Sequence, residues 1–137
     1  MYPEHLTAPM AAELEGAGFT SLKTVEEVES KLNNSEGTTL LVVNSVCGCA
    51  AGAARPGVIA SIQGEKKPDN LVTTFAGVDF DATKRAREYM LPYPPSSPSI
   101  ALFKDGQLVH VIERHHIEGR PAALIAANLS AAFEEYC

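Results

Sequence analysis

Apolar residues recur along this chain in two periods, and the switches between them mark out its elements. Leu6, Met10 and Leu14 stand at helical spacing, which predicts a short amphipathic helix with Pro9 near its start and Gly16 and Gly18 ending it. Thr24-Val25-Glu26-Glu27 has the form of a capping box, and Val25, Val28 and Leu32 then make one stripe before Asn33-Asn34, a second helix. Beyond the turn-forming Ser35, Glu36 and Gly37, the run Leu40 to Val43 is continuously apolar and β-branched at its end. Too short for a helix, it predicts a strand buried on both faces and central to a sheet.

Small residues suited to a helix start come next, but Arg55-Pro56-Gly57 is expected to break or kink that helix before Val58, Ile59 and Ile62 resume an apolar face. Leu71 to Phe75 predicts another strand. Asp81 is placed to cap a helix in which Ala82, Ala86, Tyr89 and Met90 face inward until Pro92. A right-handed crossover would make the two strands parallel neighbours. Three prolines between Tyr93 and Pro98 forbid regular structure. Ser99 to Phe103 and Leu108 to Ile112 flank Asp105-Gly106, a strong hairpin signal. The last helix opens at Pro121, with Leu124, Ile125, Leu129, Ala132 and Phe133 as its buried stripe.

Composition narrows the setting. At 137 residues the chain predicts a single domain over 1–137, long enough to bury a core without disulfide staples. A formal net charge of -6, with Lys66-Lys67 read as a solvated loop pair, argues against nucleic-acid binding. Met1 to His5 has neither a basic nor an apolar leader pattern, and no stretch approaches the roughly 20 apolar residues of a membrane span. These features predict a soluble, cytoplasmic protein. Three cysteines do not suit a secreted disulfide framework, whereas closely paired thiols in a reducing compartment suit catalysis.

The pair is Cys47-Gly48-Cys49, where a predicted strand gives way to a predicted helix. The first amides of a helix carry partial positive charge and favour thiolate over thiol. Residues i and i+2 of a regular helix face nearly opposite ways, so the reading puts Cys47 in the loop, exposed, and Cys49 in the first turn, with Gly48 turning the backbone tightly between them. Three readings remain open from the residues. The cysteines are small core residues near a helix start; or they are soft metal ligands, joined by members of the set His110, His115 and His116; or they are a redox pair, acting by turnover or in redox-dependent binding.

Strand, thiol pair at a helix start, strand, helix, proline before a hairpin, then helix is the order of the thioredoxin fold. The expected architecture is therefore α/β: a four-stranded mixed sheet with flanking helices and two extra N-terminal helices. The runs from Val43 to Gly52, Arg55-Pro56, Pro68-Asp69-Asn70, Thr74-Phe75-Ala76-Gly77, Pro95 to Ser99, Glu118-Gly119 and the terminal Cys137 together resemble the bacilliredoxin family over nearly the whole chain. The resemblance implies a thiol-disulfide oxidoreductase that removes bacillithiol, or a similar small thiol, from mixed disulfides on proteins, with disulfide isomerase activity in some members. It implies Cys47 as the attacking thiol and Cys49 as the resolving one. Gly48, Ser97 and a cis Pro98 would contact substrate, and no cofactor is expected beyond the small thiol as co-substrate. Cys137 is a candidate accessory thiol, expected to be dispensable for the exchange step. Partners would be oxidised or S-thiolated proteins. Thioredoxins keep a buried carboxylate six residues before the first cysteine, and here Leu41 stands there, leaving Glu13, Glu118, His115 and His116 as candidate acceptors for the Cys49 proton.

Overall fold

Seven consecutive residues, Thr38–Asn44, form the strand on which the rest is assembled, and every one of them is buried. The structure, a computed structural model, describes residues 2–33 and 36–137; Asn34 and Ser35, read from sequence as helix end and turn, lie outside the described residues, as does Met1. In chain order the elements are α1 (Glu4–Glu15), β1 (Thr20–Ser21), α2 (Val25–Leu32), β2 (Thr38–Asn44), α3 (a π turn Ala50–Ala54 continued by Arg55–Ser61), β3 (Asn70–Phe75), α4 (Phe80–Glu88), β4 (Ser99–Lys104), β5 (Gln107–Ile112), α5 (Arg114–Ile117) and α6 (Ala122–Tyr136). The strands lie in the order β1-β3-β2-β4-β5, with β2 in the middle. It pairs parallel with β3, Leu41 opposite Val72, and antiparallel with β4, Leu41 opposite Ala101.

Alternation along β2 divides the interior in two. Leu40 and Val42 face one core with residues of α3 and α6, and Leu41 and Val43 face the other with residues of α2 and α4. Such a strand has no solvent face, hence its unbroken apolar run. Truncating Leu40 or Leu41, both fully buried, to alanine would cost about 2–5 kcal/mol.

Local signals with a definite chemistry are where the sequence reads most directly. Thr24 Oγ1 accepts from the Glu27 amide at 3.1 Å while Glu27 Oε1 accepts from the Thr24 amide at 3.1 Å, closing the capping box. Asp105 and Gly106 take φ of 50° and 80°, the two left-handed positions of the tight hairpin turn between Lys104 and Gln107.

Other expectations are corrected. Among the described residues the sheet has five strands, not four: Thr20 and Ser21 pair parallel with Val72 and Thr73 of β3, and two residues are too few to show a period. Along α1 the buried positions are Thr7 and Leu14, and Leu6 is exposed. Thr7 tolerates burial because its hydroxyl donates to the Pro3 carbonyl at 3.4 Å. The helix does not break at Arg55-Pro56-Gly57. The irregularity comes earlier, as the π turn in which the Arg55 amide reaches back to the Ala50 carbonyl, and the wider turn accommodates the missing N–H of Pro56. Gly57 then lets α6 come close, since a Cβ there would stand 2.7 Å from Ile125 Cβ. Asp81 sits inside the first turn of α4; the cap position is Asp79, without a side-chain cap. On α6, Pro121 is the cap and Leu124 faces solvent, while Ile125, Leu129, Ala132 and Phe133 are buried.

Candidate active site

Where β2 ends, the backbone is held by a buried polar network. Asn44 Oδ1 accepts from the Ser45 amide at 2.9 Å and from Arg55 Nη1 at 2.9 Å, and its Nδ2 donates to the Met10 carbonyl at 3.2 Å. Arg55 is 1% exposed. Its Nη1 also donates to the Ser45 carbonyl at 3.0 Å and its Nε to Glu13 at 3.1 Å. A guanidinium withdrawn from water this fully is tolerated because a carboxylate and two further oxygen acceptors meet it. Ser45 Oγ in turn accepts from the Cys47 amide at 3.1 Å. The network therefore fixes the loop that carries the first thiol.

Cys47 lies just before the helix and Cys49 in its first turn, and the amides of Ala50 and Ala51 donate to the Cys47 carbonyl at 2.9 and 3.3 Å. Because Cys47 is outside the helix, the two sulfurs meet: they are free thiols 2.6 Å apart. The backbone turns tightly at Gly48, closed by that Ala50 amide on the Cys47 carbonyl, but without a positive φ, so the turn does not draw on the conformational freedom of glycine. A Cβ at Gly48 would meet nothing within 4 Å; the residue leaves open space in front of the pair.

The opposite wall comes from the β4–β5 hairpin. Ile100 pairs with Ile112, which returns the chain after β5 to the start of β4. Arg114 Nη2 there donates to Cys47 Sγ at 3.3 Å, its Nη1 to the Ser97 carbonyl at 3.1 Å, and its Nε to Glu118. The Ser97–Pro98 bond is cis. One side chain thus joins the thiol to the loop before β4. An open cleft of about 470 Å³ lies in front, walled by Cys47, Val46, Gly77, Ser97, Arg87 and Arg114 among others.

The two thiols are electrostatically unequal. Cys47 is held below the ordinary cysteine range, first by the hydrogen bond from the Cys49 thiol, with the Cys49 amide, the Arg114 guanidinium and the Ala50 amide acting the same way against the cost of burial. Cys49 is pushed up to about 11, chiefly by burial, then by Cys47 beside it, and to a smaller degree by the Glu118 carboxylate. The arrangement favours the thiolate at Cys47 and keeps the proton on Cys49.

Several sequence candidates are placed elsewhere. Glu13 is bound to Arg55. His116 Nδ1 accepts from the Glu113 amide at 3.1 Å within the α5 cap, and His110 Nε2 meets Asn128 Oδ1 at 2.6 Å. Among the described residues no group of three or more His, Cys, Asp or Glu side chains is gathered to hold a metal ion. Leu41 packs beneath α2 and α4, while Cys49 packs on the other core, so position 41 does not reach the thiols in this chain. Cys137 lies beside Thr38, at the far end of β2, and burial raises its pKa.

Sequence reading missed two arginines. Arg55 was absorbed into a helix-breaking triplet dominated by Pro56. Arg114 follows the hairpin, but the β-bulge at Leu102 and Phe103 shifts the register by one, so counting back from Asp105-Gly106 would have set Glu113, not Arg114, opposite Pro98.

An activated thiol at a helix start, with a second thiol against it, on a sheet of this order, makes this protein a thiol-disulfide oxidoreductase of the thioredoxin fold. Solved structures share that fold: mitochondrial thioredoxin 3 from Saccharomyces cerevisiae in its oxidized form aligns with a TM-score of 0.58 at 17% identity over 90% of this chain and 98% of its own, and thioredoxin O2 from Arabidopsis thaliana with 0.59 at 16% over 89% and 97%. The chain belongs to the disulphide isomerase family, whose model matches residues 2–137. Among its relatives, a bacilliredoxin from Cytophaga hutchinsonii is 61% identical over 98% of this chain and 99% of its own length. One from Halalkalibacterium halodurans is 51% identical over 99% and 94%. Among the described residues, no helix is long and apolar enough to cross a membrane.

Proposed function

We propose that this oxidoreductase removes a small thiol from mixed disulfides on cytoplasmic proteins, with Cys47 as nucleophile and Cys49 as resolving thiol. The observation that carries the assignment is the inequality of the pair: a lowered, cation-flanked Cys47 2.6 Å from a raised Cys49.

In the first step the Cys47 thiolate attacks the small-thiol sulfur of the protein mixed disulfide. A bond forms between Cys47 and the small thiol, the protein sulfur leaves as thiolate and takes up a proton, and the protein is repaired. In the second step Cys49 loses its proton to solvent and attacks Cys47 Sγ, expelling the small thiol as thiolate. The mixed disulfide has gained two electrons and the Cys47–Cys49 pair has lost them; an external thiol reductant restores the pair. Gly48 leaves room for the incoming disulfide, and the backbone of Ser97 and Pro98 lines the path of the substrate chain. No cofactor takes part. The names of the relatives support bacillithiol as the small thiol, and the family description supports a second use of the same pair, isomerising wrongly paired protein disulfides.

Turnover of one carrier protein loaded with bacillithiol or with glutathione tests the reading. Faster release of bacillithiol is expected, with Cys49→Ala trapping it on Cys47. Absence of release from either adduct sinks the proposal, and equal release removes the choice of thiol alone. Recovery of activity from scrambled ribonuclease checks the isomerase step separately.

A further inference from the structure

The cleft in front of Cys47 is charged against the trend of the chain. The protein carries a formal net charge of -6, yet two guanidiniums, Arg87 and Arg114, wall this cleft and no carboxylate does. Arg114 is accounted for by Glu118, the Ser97 carbonyl and the Cys47 sulfur. Arg87 is not.

Arg87 stands at the end of α4, half-buried. Its Nη2 donates to the Ser96 carbonyl at 3.5 Å, the long limit for such a bond. Its Nε is buried with no acceptor, and none of the ion pairs among the described residues includes it. The contrast with Arg55 is direct: there a buried guanidinium meets three acceptors, one of them a carboxylate. Taking a guanidinium partly out of water with its N–H groups unmet is costly, and burial does lower the Arg87 pKa. A structural arginine would have been given an acid. One whose counter-ion arrives with the substrate would not.

We infer that Arg87 is the anion-binding subsite of the active-site cleft, where it receives a carboxylate on the small-thiol half of the mixed disulfide while the adjoining sulfur meets Cys47. The inference rests on the exchange reading above and adds the chemistry that selects the small thiol. An arginine holds a carboxylate through paired, charge-assisted hydrogen bonds, and its place beside Arg114 makes the cleft a cationic receptacle for acidic thiols. Uncharged thiols find no comparable partner there.

The test uses the full-length protein and a carrier protein with one cysteine, loaded with mercaptosuccinate or with its uncharged dimethyl ester. The ratio of kcat/KM for the two adducts is compared between the wild type, Arg87→Gln and Arg87→Lys, because intrinsic differences between the two thiols cancel in that comparison. The wild type is expected to favour the acidic adduct by about tenfold or more, in the range of one charge-assisted contact. Arg87→Gln should lower the ratio at least fivefold, mainly through KM, and Arg87→Lys should fall between them. Added salt should erode the wild-type ratio. A ratio unchanged in Arg87→Gln overturns the inference, whether both adducts slow together or neither does, and so does a wild type that does not favour the acid. An effect of Arg87→Gln that follows the charge of the carrier sequence instead would move the anion to the protein half and overturn it as well. Wild-type failure on both adducts while bacillithiol is still released overturns the subsite, and failure on these and on the bacillithiol and glutathione adducts alike brings down the exchange reading itself.

Discussion

The two ends of β2 each carry a thiol, and the chain makes them opposites. Beyond Asn44 stand Cys47 and Cys49, at a helix start, with Arg114 donating to one sulfur. Beside Thr38, about 20 Å away along the strand, stands Cys137, the last residue of the chain, with its pKa raised first by burial and then by Asp69, against the lowering hydrogen bond from Thr38 and the lesser lowering influences of Lys104 and Lys66. The thiol itself is the same in both places. Reactivity is conferred by what the fold aims at the sulfur: amides, a guanidinium and a neighbouring thiol at one end, partial burial and an acid at the other.

The sharpest way to break the comparison is to remove the thiols one at a time. Cys47→Ala should abolish exchange, whereas Cys49→Ala should still take up the small thiol and stall as a stable adduct on Cys47, read by mass spectrometry. Adduct formation on Cys49 in Cys47→Ala at a comparable rate would show the two to be interchangeable. Next is the support beneath the loop. Arg55→Met removes the partner of Asn44, Ser45 and Glu13 and should lower unfolding stability by about 3 kcal/mol in a denaturant titration.

A smaller effect is expected from Arg114→Gln. Losing the cation raises the Cys47 pKa, so the thiolate fraction at neutral pH falls and the exchange rate should drop about threefold to tenfold. The loss should shrink as pH rises past the Cys47 titration, and thiolate absorbance against pH gives the shift directly; an unmoved midpoint would take Arg114 out of the account. Cys137→Ser should change neither rate nor titration. A Cys137 disulfide in the working protein, seen by mass spectrometry, would end the contrast between the two ends of the strand.

What could be read from the sequence is what is local in the chain. The capping box at Thr24 and Glu27, the Asp105-Gly106 turn, the buried run of β2 and the thiol pair at its end each depend on residues a few positions apart. The features missed are long-range or too short to show a period. β1 is two residues whose strand character exists only through β3. Arg114 acts on a sulfur 67 residues earlier, and Arg55 reaches Glu13 across 42; nothing near either arginine announces a partner. Leu6 and Leu124 followed the expected spacing and still face solvent, because periodicity gives a stripe without saying how far the neighbouring element extends over it.

The inequality of the two thiols also sets the tempo of the return journey. Once the pair is oxidised, the accessible sulfur is that of Cys47, so an incoming reductant must strike there and expel Cys49. Burial, the first cause of the raised Cys49 pKa, works against the thiolate that has to leave, and displacement slows as the departing thiol becomes more basic. The outward journey meets the same obstacle, because Cys49 must shed its proton before it can close the disulfide on Cys47. Making and opening the disulfide are therefore both paced by the deeper thiol. Timed by stopped flow, closure should quicken as pH rises, while uptake of the small thiol by Cys49→Ala should lack that second pH dependence.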